Sequence, residues 1–336
     1  MTLPAIFGLA GPELTGDERA FFAETKPLGF ILFARNCATP DQVRALCRAL
    51  RALTRQHDTP ILIDQEGGRV ARLKPPHWRH PPPARVFGDM WDRDPPAAER
   101  AARLNGQLIG AELIASGINV NCAPVLDVPV AGSHDIIGDR AYHTDTTVIA
   151  ALGRAFTDGL IAAGVLPVVK HIPGHGRAGA DSHKELPVVT ASLAELEQDF
   201  APFIALRDLP LAMTAHVLFS AVDPDHSATT SATVVEDVIR QKIGFHGLLM
   251  SDDISSNMKA LPGGFADRAG DCIAAGCDVV LHCDGDLNAM QQVSAALPTL
   301  SDHAAVRWAQ ASFLIAEPEA VNIPSATKEL SLLGHS

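Results

Sequence analysis

The chain has 336 residues, of which 47% are hydrophobic and 20% charged, and its formal net charge is −12. That apolar content is ample for a large core and excludes a disordered chain, while the acidic balance opposes nucleic acid or an anionic membrane as partner. No run approaches the ~18 consecutive apolar residues of a membrane span, and the length admits either two average domains or one large α/β barrel.

The N-terminus, Met1 to Gly8, lacks the basic region of a signal peptide. The cysteines, at 37, 47, 122, 272, 277 and 283, sit among apolar neighbours, as reduced core thiols do. Both features point to the cytoplasm. Ile6–Ala10 reads as a short apolar segment, followed by a helix capped by Thr15 or Asp17 and running to about Thr25. Gly29–Phe33 reads as a buried strand, and Gln42–Gln56 as an amphipathic helix with Val43, Leu46, Cys47, Leu50 and Leu53 on one face.

Pro60–Ile63 is a third strand, and it ends in Asp64-Gln65-Glu66-Gly67-Gly68-Arg69-Val70-Ala71-Arg72. A carboxylate at a strand's end, followed by a glycine pair, suits the close approach of a ligand. Lys74–Pro83 reads as a Pro-rich loop over the barrel mouth, with Trp78 and Trp91 near it as buried aromatic filler in preference to stacking platforms for a ligand. A long helix, Pro96–Ser116, precedes a fourth strand, Ile118–Pro124. Asn121 and Asp127 are expected to fix the following loop by local hydrogen bonds. Arg140, in Ile137-Gly138-Asp139-Arg140, offers a fork of donors.

Thr146–Gly164 reads as a helix leading to the chain's most informative stretch, Val165-Leu166-Pro167-Val168-Val169-Lys170-His171-Ile172-Pro173-Gly174-His175-Gly176, continuing to Asp181-Ser182-His183. A β-branched apolar run ends in Lys170 and His171 where a strand would leave the core, and Pro and Gly then impose an irregular loop. One residue separates Asp181 from His183, so in an extended loop both side chains point the same way, and the carboxylate can orient the imidazole and raise its basicity. Downstream come a helix at Ser192–Leu206, a strand at Pro210–Ala215 ending in His216, and a helix at Thr233–Ile243. A seventh strand, Gly247–Ser251, delivers Asp252-Asp253; a helix at Gly263–Ala275, a strand at Cys277–Leu281 and helices at Asn288–Leu297 and His303–Ala316 complete the series.

Apolar strands alternating with helices imply a parallel sheet, and eight of them close it into a single-domain (β/α)8 TIM-like barrel. Residues 1–336 then form one catalytic domain, with 317–336 as a C-terminal surface tail. In such barrels the site lies at the C-terminal ends of the strands, where Asp64, Lys170, His171, His216 and Asp252 would all fall. Asp252 is the strand-end carboxylate of the pair; Asp253, one residue on, should point away and anchor a neighbour.

Lys170-His171-Ile172-Pro173-Gly174-His175-Gly176 with Asp181-Ser182-His183 resembles the signature of family 3 glycoside hydrolases of the β-N-acetylglucosaminidase branch. The segments around Asp64, Arg140 and Ser251-Asp252-Asp253-Ile254 resemble the same family, and the likeness covers about Pro60 to Cys283. One departure is Ile172, where the family commonly has phenylalanine. The resemblance implies that Asp252 attacks the sugar, that His183 held by Asp181 is the acid/base, and that Asp64, Arg72, Arg140, Lys170 and His171 bind substrate. It further implies removal of non-reducing terminal GlcNAc from muropeptides in bacterial peptidoglycan recycling, with consequences for cell shape, cell cycle and division. An imidazole acid/base repels an incoming anion less than a carboxylate would, so phosphate can compete with water as acceptor.

No cofactor or metal is expected, and the partner is a small-molecule substrate rather than nucleic acid or membrane. A monomer is the working expectation, with oligomeric state left open by the residues. Two rival readings are a metal-dependent barrel hydrolase using His171, His175, Asp181 and His183, and a non-catalytic sugar sensor. The first lacks a His-x-His after the first strand and draws its ligands from too few strands. The second is disfavoured because Asp252 and His183 are both present.

Overall fold

In order, the elements are β1 (Leu3–Phe7), α1 (Gly16–Thr25), β2 (Pro27–Leu32), α2 (Pro40–Thr54), β3 (Ile61–Ile63), α3 (Arg85–Trp91), α4 (Pro95–Ser116), β4 (Val120–Asn121), α5 (Thr146–Ala162) and β5 (Leu166–Ile172). There follow β6 (Val188–Val189), α6 (Leu193–Ala205), β7 (Leu211–Thr214), β8 (Leu218–Phe219), a π-helical segment (Val234–Lys242), β9 (Leu248–Asp253), α7 (Phe265–Ala275), β10 (Val279–His282), α8 (Leu287–Ala296), α9 (Asp302–Ser312) and α10 (Ile323–Leu333). This is a computed structural model, describing residues 1–54, 58–180, 185–256, 261–315 and 318–333.

β1, β2, β3, β4, β5, β7, β9 and β10 close into a parallel barrel, while β6 and β8 pair separately. The expected (β/α)8 barrel is therefore present. Along the strands, Leu62, Val120, Cys122, Leu166, Val168, Leu211, Met213, Leu248, Met250, Val279 and Leu281 point inward and form one buried cluster. The alternate residues, such as Phe7, Phe30, Ile63 and Leu249, pack outward against the helices in a second cluster. This two-residue period is what a barrel strand imposes.

Helix ends follow local chemistry. Thr15 caps α1 and Ser192 caps α6, each in a reciprocal box with Glu18 or Glu195. Asp94 caps α4, Pro95 opens it, and Gly117 ends it at φ 86°.

Three features differ from the sequence reading, and one adds to it. β1 lies at Leu3–Phe7 rather than Ile6–Ala10, because Leu9 and Gly11 turn their carbonyls to Arg35 and Asn36 side chains. β4 is only two residues long, and Asn119 and Asn121 side chains add bonds to Thr59, Ile61 and Gln65 beside the backbone bond from Asn119 N to Ile61 O. α9, expected as one of the last helices, in addition sends Ala304, Trp308 and Ala311 into the inner cluster and closes the barrel's N-terminal end. The segment after residue 317 carries α10, which buries Ala326 and lies against α4. No helix among the described residues is long and apolar enough to cross a membrane, and all six cysteines are free thiols.

Candidate active site

The inward rows set the site. Leu62, Val168, Met250 and Leu281 face the interior, so the residues two positions on, Asp64, Lys170, Asp252 and Cys283, continue inward at the strands' C-terminal ends. They line a cavity of about 350 Å³ together with Glu66, Arg72, Arg140, His171 and His175. That is the scale of a small-ligand pocket.

A buried ion network forms one wall. Lys170 Nζ lies 2.8 Å from Asp64 Oδ1 and 2.6 Å from Glu66 Oε1. Arg72 Nη2 donates to Asp64 Oδ2 at 3.0 Å. Arg140 grips Glu66 with Nε and Nη2, each at 2.9 Å, in the bidentate geometry guanidinium favours. Burial alone would raise the Asp64 carboxyl, but Lys170 and Arg72 outweigh it and hold it well below the usual carboxylate range. The same contest, won by Arg140 and Lys170, holds Glu66 at about 2. In return the two carboxylates overcome the burial of Lys170 and Arg140 and raise both cations. Carboxylate oxygens beside fixed N–H donors can bind neighbouring hydroxyls of a sugar, each hydroxyl donating to one and accepting from the other.

Opposite, Asp127 is fully buried and organises the start of the β5 loop. Its Oδ2 lies 2.7 Å from His171 Nδ1, and its Oδ1 accepts from the His171 and His175 backbone N–H groups at 3.2 and 2.7 Å. A carboxylate on Nδ1 fixes the ring and leaves Nε2 for the pocket. Burial, reinforced by the neighbouring His171, pushes His175 down to about 4, so its ring is neutral at pH 7. Gly176 then passes so close to the Val128 carbonyl that an added Cβ would lie 1.9 Å from the oxygen. Gly176→Ala is expected to push the loop off Asp127 and lower kcat/KM about tenfold or more with folding intact; an unchanged kcat/KM by steady-state assay would contradict this.

Asp252 is kept as an anion. Burial opposes ionisation, but His216, His171, the Asp253 N–H and Lys170 together outweigh it and lower its pKa. Asp253 instead holds the backbone together. Its carboxylate accepts from Ser255 N, Ser255 Oγ and Cys283 N at 2.9, 2.6 and 3.0 Å, tying β9 to β10. An ionised carboxylate at the floor of a polar pocket can attack an electrophilic carbon or stabilise a cationic one.

The model of the glycosyl hydrolase family 3 N-terminal domain matches residues 13–311. The chain belongs to this family. A β-hexosaminidase of Bordetella pertussis is 41% identical over 287 residues, 84% of this chain and 81% of the relative. One from Chromobacterium violaceum is 36% identical over 98% of this chain and 94% of the relative. The native structure of NagZ from Neisseria gonorrhoeae superposes with a TM-score of 0.88 at 32% identity, covering 99% of this chain and 98% of that one.

Of the residues expected to serve this family 3 hydrolase, Asp64, Arg72, Arg140, Lys170, His171 and Asp252 line the one cavity. Asp181 and His183 lie outside the described residues. Trp78 and Trp91 do not line the cavity; both pack against the outer core. Asn121 and Asp127 fix local backbone, as expected. The glycine pair has another purpose than a ligand's approach: Gly67, at φ 110°, would put a Cβ 2.2 Å from the Pro82 carbonyl, and Gly68 N donates to Pro81 O. The residue missed was Glu66. Its signal was the Asp64-x-Glu66 spacing, which puts two carboxylates on one side of an extended segment.

Proposed function

We propose that this family 3 glycoside hydrolase is a retaining exo-β-N-acetylglucosaminidase that removes non-reducing terminal GlcNAc from muropeptides, in cytoplasmic peptidoglycan recycling. The observation that carries the reading is an ionised Asp252 facing, within one cavity, the hydroxyl-binding network of Asp64, Arg72, Glu66, Arg140 and Lys170. The names of the relatives, β-hexosaminidase and NagZ, support it.

In this mechanism an Asp252 oxygen attacks C1 of the bound sugar as the C1–O bond to the aglycone breaks. His183, oriented by Asp181, gives its proton to the departing oxygen. Water then attacks C1 of the glycosyl-enzyme, His183 takes the water's proton, and Asp252 leaves as carboxylate. Two inversions give net retention. The test is a chromogenic β-N-acetylglucosaminide, with the first-formed sugar followed by NMR: β anomer is expected, and α anomer as the initial product would defeat the mechanism.

The acid/base role makes a separate prediction. His183→Ala should slow glycosylation by roughly 10²–10⁴-fold with poor leaving groups, and much less with an activated phenol that needs little protonation. Deglycosylation should slow with either substrate, since water still needs a base. Equal glycosylation losses across leaving groups would remove His183 from this role.

A further inference from the structure

β9 outruns its neighbour at the site. β7 and β9 pair through Leu211–Leu248, Ala212–Leu249 and Met213–Met250, while β9 continues to Asp253. Beyond that register, side chains from the β7 end take over the backbone's partners. Asp252 N donates to Thr214 Oγ1 at 3.2 Å, and His216 Nε2 lies 2.6 Å from the Asp253 carbonyl oxygen. Between these two contacts, Asp253 N donates to the Asp252 carboxylate at 2.7 Å. The segment bearing the carboxylate is thus held at both ends and in the middle.

The two holding groups share a third. Thr229 Oγ1 lies 2.8 Å from both Thr214 Oγ1 and His216 Nδ1, and 3.0 Å from the Ala215 carbonyl. Thr214, His216 and Thr229 are all fully buried. A carbonyl oxygen can only accept, so His216 Nε2 carries the proton that reaches Asp253. The imidazole is therefore a donor to the β9 backbone, steadied from behind by a threonine hydroxyl. Beyond the charge that His216 sets against Asp252, the mechanism above uses none of these three side chains.

We infer that His216 is a positioning residue for Asp252, acting with Thr214 and Thr229 as a side-chain clamp that replaces backbone pairing at the end of β9 and sets the line of attack of the carboxylate. This rests on the reading of Asp252 as nucleophile. A displacement of about 1 Å at a reacting atom can cost on the order of 10²-fold in rate, whereas substrate binding through the ion network would be left intact.

The test uses the full-length enzyme with four variants: His216→Phe keeps a ring without hydrogen bonds, His216→Gln keeps a donor, Thr229→Val is isosteric without the hydroxyl, and Thr229→Ser restores it. His216→Phe should lower kcat for glycosylation about 10²-fold with KM within about threefold, and Thr229→Val about tenfold. The double variant should be little worse than His216→Phe alone, because both act through one clamp. His216→Gln and Thr229→Ser should each recover most of the loss. Active sites are counted by a 5-fluoro-N-acetylglucosaminyl fluoride that accumulates as the glycosyl-enzyme, with the labelled residue found by peptide mapping. If the label falls on Asp252 but both His216→Phe and Thr229→Val keep wild-type kcat per labelled site, the clamp is structural only and the inference fails alone. A wild-type label on another residue overturns both the inference and the nucleophile assignment. Should His216→Phe not fold, Thr229→Val decides: loss rescued by serine supports the clamp, and no loss refutes it.

Discussion

Asp252→Ala is expected to lose turnover by roughly 10⁴-fold or more, the scale of deleting a covalent catalyst, while KM for a chromogenic β-N-acetylglucosaminide changes little. The asymmetry follows from the layout of the cavity. The sugar's hydroxyls have the Asp64, Glu66, Lys170, Arg72 and Arg140 network to bind, which shares no hydrogen bond with the Asp252 side chain. In the proposed mechanism, removing the carboxylate therefore takes away the attacking group and leaves the groups proposed to hold the substrate. It also opens a space at the floor of the pocket beside Lys170. Azide added to the variant should enter there and attack C1 from the same side as the missing carboxylate, giving an α-glycosyl azide from a β-glycoside. More than about 1% of wild-type turnover without azide, or a β-glycosyl azide with it, would mean that Asp252 is not the nucleophile.

The architecture was legible because a barrel strand announces itself twice, by a short apolar run and by the polar residue that ends it. Asp64, Lys170 and Asp252 follow such runs, and one geometric rule, that strand C-termini converge, brings them together. Partners that depend on side-chain reach were harder to see. Glu66 lies two residues past the strand-end aspartate, and only the closeness of Lys170 and Arg140, from distant segments, shows it as a shared counter-ion. Asn119 and Asn121 brace β4 against the β3 segment with side-chain amides added to the backbone bonds, which no periodicity records. Trp308 closes the barrel from α9, yet on sequence it is one apolar residue of an ordinary helix. His216 was legible as a strand-end residue, but not as a prop for β9, because its partners, Thr229 and the Asp253 carbonyl, are 13 and 37 residues away.

Lys170→Met should be the most destabilising substitution in the site, costing about 3–5 kcal/mol at pH 7, the range for removing one partner of a buried ion pair. Methionine fills nearly the same volume, so the loss is electrostatic. Asp64 and Glu66 would remain buried, with Arg72 and Arg140 left to balance each of them singly. The pH dependence identifies the cause. Both carboxylates have folded pKa values below their unfolded ones, so the stability they contribute is complete above the ordinary carboxylate range near ~4 and is lost as pH falls through the folded values. For Glu66 that loss runs from the ordinary carboxylate range down to about 2. Without Lys170 both folded values move up, so the variant's carboxylates take protons at higher pH and shed part of their burial cost. The gap between wild type and variant should therefore be widest at neutral pH and narrow steadily below pH ~5. Urea unfolding midpoints at pH 7 and pH 4 measure it directly. A gap that stays constant across that range would assign the destabilisation to packing and leave the network without the electrostatic role its geometry implies.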